Sequence, residues 1–186
     1  MSVQRTRRTD PRRRERIVEA AVACIAEHGV AGTSHRRVAQ SADVPLGSMT
    51  YHFDGMDELL REAFTSFARR ISATFAERLG PAAGADDPDG VIDALVDLIH
   101  VDLQRSSAEH VLTYELYTLA ARRPEFREIT QTWMHASREV LGRAFDPVTA
   151  RRLDAYVEGA ALHIALDPDP QPREQTRTAL RLLAGR

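Results

Sequence analysis

Between positions 45 and 53 the chain reads PLGSMTYHF, in which Gly47, Ser48, Thr50, Tyr51 and His52 crowd one short stretch. Hydroxyl and imidazole groups both donate and accept hydrogen bonds, and a glycine lets another molecule approach the backbone closely. That mixture suits contact with duplex DNA, where phosphate contacts fix position and base-edge contacts carry sequence. Met49 and Phe53 fall on the opposite side of a helix and are expected to pack inward. The bland alternative is a buried connector whose hydroxyls bond nearby backbone.

Arginines flank this stretch. Arg12, Arg13 and Arg14 crowd the first turn of one expected helix, and Arg36 and Arg37 the first turn of the next, behind an N-cap at Ser34. Cations there oppose the helix dipole at a cost of a few tenths of a kcal/mol or more each, which nearby phosphates would offset. The first 55 residues hold nine arginines against six carboxylates, a net +3 in a chain of net −2. The remaining residues therefore carry an acidic balance. This asymmetry predicts a small head for a polyanion and a body with another task.

Catalytic chemistry has no comparable support. No Ser/His/Asp or Cys/His grouping, glycine-rich phosphate loop or paired-carboxylate motif stands out, so no catalytic residue and no cofactor is expected. His100, Asp102, Glu109, His110 and His135 match no compact metal-ligand spacing. The competing function is an all-α enzyme or small-molecule carrier with an incidental basic head.

The elements that must position these residues read as helices. Apolar residues recur at helical spacing, and strand-like alternation is missing. The spacing predicts about nine helices. Asp10-Pro11 marks an N-cap and first turn, Gly29 the end of the first helix, and SADVP a tight link between the second and third. Gly80-Pro81 is expected to stop the fourth helix, with PAAGADDPDG as a loop. Residues 1–9 are polar and expected to be disordered. A break between helical segments of this size is the helix-turn-helix geometry, whose second helix enters the major groove. Residues 1–55 are taken as arm and DNA-binding domain and 56–186 as the body. The single cysteine, Cys24, fits a core thiol in a reducing cytoplasm. No apolar run approaches the ~20 residues needed to span a bilayer, so no membrane partner is expected.

Residues 16–64 resemble the DNA-binding head of the tetracycline-repressor (TetR) family. Glu19-Ala20-Ala21, Glu27-His28-Gly29, Ser34, Val38-Ala39, Val44, Gly47-Ser48, Tyr51-His52-Phe53 and Glu58-Leu59-Leu60 fall in that pattern's register. Asp43 departs from it where the turn usually has glycine, as do His35, Thr50 and Met56. The resemblance implies an all-α, homodimeric regulator, a repressor that leaves a palindromic DNA operator when a small-molecule effector binds. The DNA-contact candidates are Ser34, Arg36, Arg37, Leu46, Gly47, Ser48, Thr50, Tyr51 and His52.

By the same resemblance, helices four to eight enclose a ligand cavity and the last two helices form the dimer seam. Phe67, His100, Tyr114, Tyr117 and Trp133 are the candidate pocket residues, with His110 and His135 as further polar handles. The small-residue run Gly159-Ala160-Ala161 independently favours close helix approach. Gly159, Ala160, His163, Leu180 and Leu183 are therefore the candidate seam.

Overall fold

The computed structural model describes residues 12–102 and 107–186, Asp102 by its backbone alone. The expected cap at Asp10-Pro11 and the arm before it lie outside the described residues. Among those residues there are nine α-helices, one π-helical turn and no strand. They group into two compact units, one ending at Ala63 and the other beginning at Phe64.

The first unit is built by α1 (Arg13–Gly32), α2 (His35–Ser41), α3 (Gly47–His52) and the opening turns of α4 (Met56–Gly84). Its core takes Ile17, Ala21, Cys24 and Ile25 from α1, Val38 and Ala39 from α2, and Met49 and Phe53 around α3. The inward direction expected for Met49 and Phe53 is thus the observed one. α1 breaks at Gly29, whose φ of 68° is a left-handed value that glycine adopts without penalty. Thr33 Oγ1 donates to the freed Gly29 carbonyl at 2.8 Å. Ser34 caps α2, accepting from Arg37 N–H at 3.3 Å. Between α2 and α3, Asp43 takes a left-handed φ of 51°, the conformation its place in the turn predicts.

The expected domain division at 55/56 falls at the start of α4, whereas the packing divides within that helix. The reason is that Glu58 and Glu62 in its first turns face Arg14, at 3.8 and 3.2 Å.

The second unit contains the rest of α4, α5 (Pro88–Asp97), a π turn (Leu98–Asp102), α6 (Ser107–Arg122), α7 (Pro124–Leu141), α8 (Pro147–Leu166) and α9 (Arg173–Leu183). Gly80-Pro81 does not stop α4, which runs to Gly84 with Pro81 inside it. Proline forfeits one helix bond there, but Leu79 and Ala83, both buried, hold the helix on the core. The expected ten-residue loop shrinks accordingly. Asp86 turns the chain at a φ of 52°, and Asp87 caps α5 by accepting from Gly90 N–H at 2.9 Å. Asp146 caps α8 through Val148 and Thr149 N–H, at 2.9 and 3.2 Å.

The body core gathers Phe75 and Leu79 of α4, Ile92 and Leu95 of α5, Leu141 of α7, Leu153 and Val157 of α8, and Leu180 of α9. α9 is fastened to α5 by a charged ladder. Arg173 pairs with Asp97, Arg177 with Asp93, and Arg181 with Asp89 at 3.5 Å. Leu180, a candidate for the dimer seam, packs inside its own chain. It is 0% exposed within its own chain, because α9 turns that residue onto the body core. Ala160 of α8, another candidate, packs against the same core and borders a surface groove with Gly159 and His163.

Candidate DNA interface and effector cavity

α3 presents its candidate contact residues unequally. Tyr51 is 83% exposed and Leu46 50%, whereas Ser48 is 8% exposed. Gly47 and Thr50 share the open side, and His52 is half-buried, its ring edge-on to Tyr51 at 4.9 Å. Ser48, also a candidate contact, sits one position before Met49 on the buried flank. A Cβ built on Gly47 would meet nothing within 4 Å, so the chain's own packing does not demand glycine there.

The arginines divide by task. Arg36 is exposed beside the α2 cap. Arg37, also exposed, turns back so that its guanidinium donates to the Gly32 carbonyl and closes the end of α1. Arg14 is engaged internally, lying over the Phe53 ring at 5.0 Å while it pairs with Glu62 and Glu58. Its cost at the start of α1 is thus offset by side chains of the protein itself, the hydrogen bond to Glu62 holding its pKa up.

The second unit encloses a cavity of about 310 Å³. Ile71 and Phe75 of α4, Leu98 of the π turn and Val157 of α8 supply apolar wall. Tyr114 and Tyr117 of α6 and Trp133 of α7 supply aromatic wall, and Glu109, His110, Asp154 and Glu158 the charged or titratable groups. Tyr117 and Trp133 stack at 5.9 Å, with 25° between ring planes. Of the expected pocket residues, Tyr114, Tyr117 and Trp133 come together here. Phe67 does not line the cavity: it is buried behind Trp133, edge-on at 6.0 Å. His100 points elsewhere, to the Thr176 hydroxyl at 2.7 Å, because α9 packs over the π turn. His135 is exposed and lies 3.5 Å from Glu139.

The acidic pair was missed in the sequence. Asp154 and Glu158 stand one turn apart on α8, interleaved with the buried positions Leu153, Val157 and Ala160. That interleaving is the signal the sequence holds for them. Asp154 accepts from Arg138 Nε at 2.7 Å, and Tyr117 donates its hydroxyl proton to Glu158 at 2.6 Å. Burial raises the Asp154 pKa, and Arg138 offsets part of the shift. Burial likewise pushes the Glu158 carboxyl up, the Tyr117 bond pulls it partly back, and Asp154 pushes it up further. Burial holds the His110 pKa down and the Tyr114 pKa up. Both side chains keep a buried polar atom, Nε2 and the hydroxyl oxygen, without a hydrogen-bond partner among the described residues. No cluster of three or more His, Cys, Asp or Glu placed to hold a metal ion occurs among those residues.

A helix-turn-helix head followed by a helical body with an internal cavity defines a one-chain transcriptional regulator that couples DNA to a small molecule. Residues 17–63 match the family model described as bacterial regulatory proteins, tetR family, and residues 86–186 the tetracyclin repressor-like C-terminal domain. The chain belongs to the TetR family of DNA-binding transcriptional regulators. It is similar to SCO7518 of Streptomyces coelicolor A3(2), at 52% identity and a TM-score of 0.88 over 95% of this chain and 100% of that one. It is also similar to the multidrug binding protein EbrR solved with ethidium, at 35% identity and a TM-score of 0.75 over 92% of this chain and 98% of that one. Among curated relatives, the regulator PksA of Bacillus subtilis (strain 168) is 25% identical, over 84% of this chain and 80% of its own length. Among the described residues no helix is long and apolar enough to cross a membrane.

Proposed function

We propose that the chain acts as a cytoplasmic homodimeric repressor that grips a pseudo-palindromic operator and lets go when an aromatic organic cation enters the body cavity. The observation that carries this is the cavity lining: stacked Tyr117 and Trp133 beside the half-buried carboxyl of Glu158 and the buried one of Asp154. Aromatic faces and carboxylates both attract cations, more strongly where water is excluded. EbrR has been solved with the dyes proflavin, ethidium and malachite green, which favours the same ligand class here.

On the DNA side, Leu46, Gly47, Thr50, Tyr51 and His52 form the reading face. Ser34 and Arg36 hold phosphates, with Arg37 bracing the α1 end. A glycine that internal packing does not require is explained by close approach of a sugar-phosphate chain at Gly47. One such head covers too few base pairs for specificity, so two are needed. The seam is assigned to Gly159 and His163 with Leu162, Leu166 and Leu182, the last three 39%, 68% and 72% exposed in the lone chain. Leu183, half-buried on the body core, contributes less. The signal runs along α4, which starts at Met56 and carries Ile71, Thr74 and Phe75 to the cavity wall. Ligand and DNA compete only if they prefer different placements of that helix.

The test selects bound DNA from a random pool, then titrates the complex with tetraphenylphosphonium, a permanent aromatic cation that does not intercalate. An enriched palindrome and release by the cation are expected, with the Glu158→Gln protein releasing only at much higher concentration. Equal release from both proteins would refute the role of the cavity.

A further inference from the structure

Three carboxyls border the cavity, and two of them have a guanidinium. Arg70 lies 3.6 Å from Glu109, and Arg138 2.7 Å from Asp154. Glu158 has only the neutral Tyr117 hydroxyl, with no arginine paired to it among the described residues. Glu158 is half-buried, and a carboxylate cut off from much of its water with no positive partner is costly; the usual remedies are a proton or a bound cation. A carboxylic acid can accept the Tyr117 bond on one oxygen while carrying its proton on the other, so the same geometry serves both states.

We propose that Glu158 is a proton-for-cation exchange site: its carboxyl carries a proton in the unliganded protein and surrenders it to solvent as an organic cation settles beside the carboxylate. The proposal deepens the effector reading above and rests on it. One proton leaves for each positive charge that enters, so the charge enclosed in the cavity is unchanged. The pocket thereby selects permanent cations over neutral molecules of the same shape, since only a cation can replace the proton.

The direction of the Glu158 shift agrees, since burial moves it toward the acid form. The titratable and charged groups around it are Glu109, His110, Tyr114 and Tyr117 on α6, Arg138 on α7 and Asp154 on α8. α4 adds Arg70, paired with Glu109, and otherwise α4 and the π turn contribute only Ile71, Thr74, Phe75 and Leu98 to the wall. Both tyrosines are held neutral by burial. Two groups compete as sources of pH dependence: His110, whose charged form at low pH would also repel a cation, and Asp154, whose carboxyl burial also pushes up.

Ethidium, with fixed charge and fluorescence that rises on leaving water, is the probe, in the absence of DNA. Its affinity for the full-length protein is expected to climb by up to about tenfold per pH unit while Glu158 holds its proton, then to level off. Calorimetry in two buffers of different ionisation heat should show proton release on the rising limb. Glu158→Gln should flatten the profile and abolish the release, whereas His110→Asn should keep both. Tyr117→Phe removes the bond that favours the carboxylate and should move the plateau to higher pH. The uncharged dye Nile red should bind the parent without proton release. Tight ethidium binding with a flat profile and no released proton would overturn the exchange alone. A slope retained in Glu158→Gln would assign it to His110 if His110→Asn loses it, or to Asp154 if not, and either result would also overturn the exchange. No ethidium binding at any pH would overturn the exchange and the effector reading together.

Discussion

Replacing Arg138 by methionine tests how the body tolerates its buried charges. The guanidinium lies 2.7 Å from Asp154, whose side chain is 7% exposed, while that of Arg138 is 37% exposed. Breaking a fully buried pair costs about 3–5 kcal/mol, and an exposed pair is worth about 0–1 kcal/mol. Here the stranded partner is the buried one, so about 2–3 kcal/mol is expected, a large part of the ~5–15 kcal/mol that holds a domain folded. The sign with pH follows from burial. The Asp154 pKa is already raised by burial, and losing Arg138 removes both influences that lower it. A carboxyl whose folded pKa lies above its unfolded value destabilises fully at pH above that folded pKa, less as pH falls below it, and not at all below the unfolded value. Urea unfolding of Arg138→Met should therefore show the full loss at neutral pH and a shrinking one on acidification. Adding Asp154→Asn should recover most of the loss at neutral pH. A loss below about 1 kcal/mol, or one that does not shrink with acid, would refute the account of Asp154 as a buried charge dependent on Arg138.

Three further outcomes follow from particular contacts. Arg36→Ala should weaken binding to all DNA sequences and flatten the plot of log K against log salt by about one unit, while Arg37→Ala should chiefly lower the head's thermal stability; fluorescence anisotropy over a salt series separates them. Thr50→Ala should cost roughly 1–3 kcal/mol on the enriched operator if its hydroxyl meets a base, and the loss on random DNA should be smaller. Asp146→Ala removes the α8 cap, whose Thr149 and Val148 bonds depress the Asp146 carboxyl pKa; the parent's advantage in urea should be present above the unfolded carboxylate range and shrink as pH falls through the depressed value.

The head was legible because its signals are local. Gly29, Ser34 and Asp43 each act through backbone geometry within a few residues, and Met49 and Phe53 declare their face by period alone. The limits appear where a side chain's fate is set by distant sequence. Nothing near Ser48 announces that it lies on the buried flank, and nothing near Arg37 that it closes on Gly32. Pro81 is a local stop signal overruled by the core contacts of Leu79 and Ala83. The cavity was half legible: aromatic residues are conspicuous, but Glu158 acquires meaning only when α6 brings Tyr117 to it. Leu180 shows the same limit, since amphipathicity says that a face is covered without saying by which surface.

The ladder between α5 and α9 has a consequence for alignment. Asp89, Asp93 and Asp97 repeat every four residues, as do Arg181, Arg177 and Arg173 running the other way. A rack with evenly spaced teeth engages equally well one notch along. Sliding α9 by four residues, about 6 Å, would still mate Asp93 with Arg181 and Asp97 with Arg177. Charge alone therefore leaves neighbouring positions of the helix nearly degenerate. What makes one of them unique is the fully buried Leu180, with Thr176 docked on His100. Shaving Leu180 to alanine would loosen the lock without touching the teeth, and the C-terminal helix could then idle between notches, carrying Leu182 out of step with any surface built to receive it.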